Sequence, residues 1–140
     1  MDQQSRNHEM IETTVPMRIV LEGQAVPLPC TLSYEVVDPF AVTATFSSGD
    51  GEVSWTFARD LLAAGLRTAS GDGDVLVRPL IGAQIEIVLS SPSGAAVVHA
   101  DLDAVAAFVQ ASYDLLPEGY EWQYLNFDAG LAALLDEEAA

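Results

Sequence analysis

Apolar and polar residues alternate with period two through much of the first half of the chain, then switch to helical spacing, and the same change recurs further on. Val15, Met17, Ile19 and Leu21 alternate with Pro16, Arg18 and Val20, which predicts a half-buried strand. Val26, Leu28, Cys30, Leu32 and Tyr34 alternate with Pro27, Pro29, Thr31 and Ser33, which predicts a second strand joined to the first by a turn at Gly23. Two prolines two residues apart donate no ladder hydrogen bonds, so this strand is expected to start at a sheet edge. Phe40, Val42, Ala44 and Phe46 make a third run, and Val53, Trp55 and Phe57 a fourth, with Ser48-Gly49-Asp50-Gly51 as the hairpin loop between them. The simplest arrangement of the four is an antiparallel meander.

The period then changes. Phe57, Leu61, Leu62 and Leu66 share one face at helical spacing, and Gly65 marks the end of a short helix. The Gly, Ser and Asp residues from Thr68 to Asp74 read as a loop. Three further strands are expected around Val75 to Pro79, Ile85 to Leu89 and Ala95 to His99, with a turn at Ser91-Pro92-Ser93-Gly94. Leu102, Val105, Ala106, Val109 and Tyr113 then form a helical stripe, with Asp101 as its cap and Pro117 beyond its end. The last stretch opens with Tyr120, Trp122 and Tyr124, and Asn126 caps an expected helix carrying Leu131, Leu134 and Leu135. The predicted class is α+β: about seven antiparallel strands in two sheets with two to three helices, strands followed by helix twice.

A chain of 140 residues suits one domain, expected over residues 13–140, after a mobile N-terminal tail over residues 1–12. The polar, acid-bearing start does not resemble a secretory leader, and no apolar run approaches the roughly 20 residues of a membrane-spanning helix, so a cytoplasmic protein is expected. Cys30, the only cysteine, shares a strand face with Leu28 and Leu32 and reads as a small buried hydrophobe. Charge changes the picture more. There are 21 acids against 5 arginines and no lysine, a formal net charge of −16. Such a surface repels a phosphate backbone and an anionic bilayer, which argues against nucleic acid as a partner and leaves the membrane reachable only through another protein. Ten acids and no arginine follow Arg78, so the C-terminal part bears one sign and would be steered toward a basic patch.

Candidate chemistry is sparse, and no catalytic, cofactor or metal residues are assigned. A nucleophile needs a base within reach, yet His8 lies in the expected tail and His99 closes a strand. Asp72-Gly73-Asp74 invites a calcium reading, but counting from Asp72 puts Leu76 and Ala83 where an EF-hand needs ligands, so Gly71-Asp72-Gly73-Asp74 is read as a turn. One cysteine and two histidines cannot supply a structural zinc site. Arg59, the one basic residue in its short helix, is expected to form a fixed ion pair with Asp60 or with an acid of a strand loop; a partner contact is the alternative.

Four segments form an ordered pattern: Asp38-Pro39-Phe40-Ala41-Val42, Phe57-Ala58-Arg59-Asp60-Leu61-Leu62-Ala63-Ala64-Gly65-Leu66, Gly71-Asp72-Gly73-Asp74-Val75 and Ser90-Ser91-Pro92-Ser93-Gly94. Together they resemble the SsgA-like family of actinomycete proteins that control sporulation-specific cell division, with the similarity running from about Val15 to Glu138. The resemblance implies a Whirly-like fold assembled as a homotrimer, without catalytic activity. It implies recruitment of the tubulin-like GTPase FtsZ to future septum sites and promotion of its polymerisation. Two other readings stay open: a sister subtype that positions the recruiter or affects peptidoglycan remodelling, and a small-ligand-binding module. The family's pattern names no partner-binding residues; Val15 and Met17 are expected as edge positions that pair between subunits, and exposed acids as contacts to FtsZ.

Overall fold

The computed structural model describes residues 9–71 and 73–122. They form nine strands and two helices. The strands are β1 (Met10–Val15), β2 (Met17–Leu21), β3 (Gln24–Pro27), β4 (Cys30–Glu35), β5 (Ala41–Ser48), β6 (Gly51–Ala58), β7 (Val75–Leu80), β8 (Gln84–Ser91) and β9 (Gly94–Asp101). Helix α1 (Arg59–Gly65) follows β6, and α2 (Leu102–Leu115) follows β9. One antiparallel sheet runs β1-β4-β5-β6 and the other β3-β2-β9-β8-β7. Strands followed by a helix thus occur twice, six before α1 and three before α2, as the change of period indicates.

The first four strands correct the expected meander. Two expected strands each divide in two, and the halves lie in different sheets. The reason is a pair of prolines. The register Met10↔Glu35 to Val15↔Cys30 in the first sheet and Arg18↔Pro27 to Leu21↔Gln24 in the second is one continuous hairpin. Its register sets Pro16 opposite Pro29. Neither can donate a ladder hydrogen bond, so pairing lapses there and the hairpin crosses between sheets. Pairing resumes at once, with the Leu28 N–H donating to the Met17 carbonyl at 2.7 Å. The hairpin closes on Glu22 and Gly23, both at positive φ (50° and 81°), a two-residue turn whose twist suits the strands it joins. β1 begins at Met10, so Met10, Ile11 and Glu12 are paired with β4 rather than lying in a tail.

Alternation marks the inward faces of β4 and β5, whereas Leu21, Val26 and Val53 of the alternating runs are exposed. Cys30, Leu32, Tyr34, Val42, Ala44, Phe46 and Phe57 come from the first sheet, and Val75, Val77, Ile85, Ile87, Leu89, Val98 and Ala100 from the second. Leu62 of α1 and Val105, Phe108 and Val109 of α2 complete one core. Val15 and Met17 are buried within it, on either side of the proline corner, so they are not available to pair between subunits as expected. Burial pushes the Cys30 thiol up to about 12, a small inert hydrophobe. Gly65 does more than end α1: an added Cβ would overlap Val77 of β7, so the glycine is what lets α1 lie against the second sheet. Phe57, expected both in the fourth strand and on the helical face, is the last inward residue of β6.

Candidate functional site

The residues of the first two quoted segments converge on Arg59. Its backbone N–H donates to the Phe40 carbonyl at 2.8 Å, extending the β5–β6 ladder by one pair as α1 begins. Its side chain then turns inward and is 1% exposed. The guanidinium stacks between two rings, 4.5 Å from the centroid of Tyr34 and 4.0 Å from that of Tyr113. Nη1 donates to the carbonyls of Ser112 and Leu116, each at 2.9 Å, and Nη2 donates to Glu121 Oε2 at 2.8 Å.

These partners have a common logic. The last carbonyls of a helix lack intrahelical partners and carry the negative end of its dipole. No basic residue lies in the last turn of α2. Arg59, 53 positions earlier than Ser112, supplies that charge from another element. The expected ion pair therefore exists with a different acid. Asp60 points to solvent-side α2 instead, where its Oδ1 accepts from the Tyr113 hydroxyl at 3.1 Å. Burial and that bond raise the Tyr113 hydroxyl to about 12. Tyr34 donates to the Pro39 carbonyl at 2.9 Å, anchoring the loop before β5.

Glu121 closes the clasp. Burial opposes its ionisation, but hydrogen bonds from its own backbone N–H, from Arg59 and from the Gly119 N–H at 2.7 Å outweigh that, and its carboxyl sits below the usual value of 4.5. The chain beyond Leu116 is thereby fixed as far as Trp122, whose ring meets Phe40 edge-on with centroids 4.9 Å apart. Tyr120 and Trp122 remain about half exposed beside this anchor. Tyr124 and the helix expected after Asn126 lie outside the described residues.

Two other features carry polar groups. Between α1 and α2 lies an open groove of about 580 Å³ lined by Asp60, Ala63, Ala64, Arg67, Gln110, Tyr113, Pro117 and Glu118. On the outward face of the second sheet, Arg18, His99, Glu86 and Arg78 form a row across four adjacent strands. Arg78 Nε donates to Glu86 Oε1 at 2.8 Å, and His99 Nε2 lies 3.0 Å from Glu86 Oε2. Arg78, with His99 adding to it, holds the Glu86 carboxyl below its usual value against partial desolvation. Arg18 donates to Gln84 Oε1, and Gln84 Nε2 donates to Asp101 Oδ1 at 2.6 Å. The Asp101 side chain is thus bonded across strands and makes no capping hydrogen bond to α2, unlike the expected role. His8 and Asp72 lie outside the described residues. Among the described residues no helix is long and apolar enough to cross a membrane.

Sequence reasoning picked out Arg59 because it is the lone cation among apolar and acidic neighbours. It missed Glu121, Tyr34 and Tyr113, which come from separate elements. Residues 28–121, the span from the proline corner to the clasp carboxylate, match the model of a family described as Streptomyces sporulation and cell division protein, SsgA. The chain is 41% identical over 133 residues to the sporulation-specific cell division protein SsgB of Frankia casuarinae, covering 91% of this chain and 93% of that protein. It is 39% identical to the SsgB of Streptomyces coelicolor, over 86% and 92% of the two chains. A crystal structure of an SsgA-like sporulation-specific cell division protein from Thermobifida fusca superposes with a TM-score of 0.83 at 36% identity, covering 91% of this chain and 96% of the other. A second solved structure, from work relating mutations in SsgB to longitudinal cell division during sporulation of Streptomyces coelicolor, gives 0.80 at 35% identity, over 84% and 97%. The chain belongs to the SsgA family of sporulation and cell division proteins.

Proposed function

We propose that this chain is a non-catalytic regulator of sporulation-specific septation that recruits FtsZ to future septum sites and promotes its polymerisation. The observation that carries the reading is the near full-length similarity to relatives named SsgB, 41% identical across 91% of this chain in the Frankia casuarinae protein. The family resemblance supports a homotrimer and a sister family member as a further partner, acting in the cytoplasm at the septum. A net charge of −16 makes unaided adsorption to an anionic bilayer unfavourable, so the membrane is reached through a partner.

Co-sedimentation of the purified protein with GTP-assembled FtsZ from the same organism, at low and high salt, tests the proposal. Pelleting with filaments and a larger polymer fraction is the expected result. Retention in the supernatant at both salt concentrations overturns direct recruitment and leaves the sister-subtype adaptor as the reading to pursue.

A further inference from the structure

Four strands end a sheet, and three of those edges are blunted. β3 has four residues and ends at Pro27. β1 has only six residues and is packed by α2, while β7 is packed by α1 and bridged by Ser70. β6 differs. It runs eight residues without proline or a basic residue, meets α1 only where that helix continues from its end, and pairs only with β5 among the described residues.

The direction of its unpaired groups follows from the register. Arg59 N–H bonds the Phe40 carbonyl, so positions 40 and 59 form a hydrogen-bonded pair. Alternation along an antiparallel ladder then makes 42↔57, 44↔55, 46↔53 and 48↔51 the other bonded pairs. The N–H and C=O groups of Glu52, Ser54, Thr56 and Ala58 therefore point away from β5, into the open edge. The hydroxyl contacts Thr43–Thr56 at 3.1 Å and Thr45–Ser54 at 2.9 Å fit the closer, non-bonded positions. On the core-facing side the edge is apolar: Val53 is 58% exposed and Trp55 half-buried.

We propose that β6 pairs antiparallel with β6 of a second copy of this chain, making one continuous eight-stranded sheet across a two-fold axis. Self-complementarity selects this occupant. With Ser54 opposite the partner's Ser54, Glu52 bonds opposite the partner's Thr56, and all four residues carry outward-pointing groups. The same register sets Val53 against the partner's Trp55, twice, at the close non-bonded spacing on the apolar side. It also keeps the two Glu52 carboxylates apart, which matters for molecules of charge −16. A two-fold contact closes on itself. The proposed trimer would use other surfaces.

Light scattering and sedimentation equilibrium from micromolar to millimolar protein, at low and high salt, test this with the full chain. The expected result is a doubling of mass with concentration, favoured by salt because screening weakens the repulsion, with slowed amide exchange at Glu52, Ser54 and Thr56. Ser54→Pro removes an outward N–H together with the hydroxyl contact to Thr45, and Val53→Lys places a charge in the apolar pair; each is expected to abolish the doubling. Circular dichroism establishes that the variants fold, and Val53→Lys decides the matter if Ser54→Pro does not. A mass that never doubles, a doubling that survives Val53→Lys, or exchange protection confined to another surface overturns the proposal.

Discussion

Two Arg–Glu pairs in this molecule have the same 2.8 Å contact and opposite meanings. In Arg59–Glu121 the side chains are 1% and 4% exposed, and in Arg78–Glu86 they are 55% and 15% exposed. The outer pair exchanges one hydrated arrangement for another, and such pairs contribute about 0–1 kcal/mol. The inner pair has lost its water, and its charges are held by two helix-end carbonyls, two aromatic faces and a backbone N–H. Taking one member away strands the other in a site that water does not reach. What separates the pairs is therefore the surrounding set of partners.

Breaking the inner pair gives the largest expected effect. Arg59→Met should lower stability by about 3–5 kcal/mol in urea unfolding, because it leaves Glu121 and the Leu116 carbonyl buried without the Arg59 donor, while the Ser112 carbonyl keeps the Leu116 N–H. Gly65→Ala comes next: its methyl would overlap Val77, and about 1–3 kcal/mol is expected from overpacking between α1 and β7, measured the same way. Acid sharpens the comparison by titrating both carboxylates. Glu121 and Glu86 are each lowered from 4.5 in the folded protein. Their contribution is fully present above that value and is lost as pH falls through their lower folded values. Glu121→Gln and Glu86→Gln should each flatten the acid limb of a stability–pH profile. Smallest of all, Arg78→Ala should change urea stability by about 1 kcal/mol or less, with the difference shrinking further in high salt.

Local pattern carried most of the fold. Alternation marked the inward residues of β4 and β5, and helical spacing marked α1 and α2, because each side chain's face depends on its neighbours along the chain. The sheet change was hidden for a corresponding reason. Pro16 and Pro29 were each visible, but their effect depends on lying opposite each other, a property of register across the turn at Gly23. Gly65 was likewise legible as a helix end, whereas its contact with Val77 requires knowing that α1 lies on β7. Arg59 stood out as a lone cation, and its neighbour Asp60 was the natural partner on sequence distance. Burial chose otherwise: α1 turns Arg59 inward and Asp60 outward, and the chain after Pro117 brings Glu121 to the guanidinium.

The clasp also brings the first two quoted segments together. Asp38–Phe40 and Phe57–Asp60 meet at Arg59, which ties them to the end of α2 and to Trp122. A double-mutant cycle in urea unfolding, with Arg59→Met and Glu121→Gln alone and combined, set beside the same cycle for Arg78→Met and Glu86→Gln, tests this account most directly. A coupling several times larger for Arg59–Glu121 is the predicted result. Equal couplings, or a negligible one for Arg59–Glu121, would contradict it.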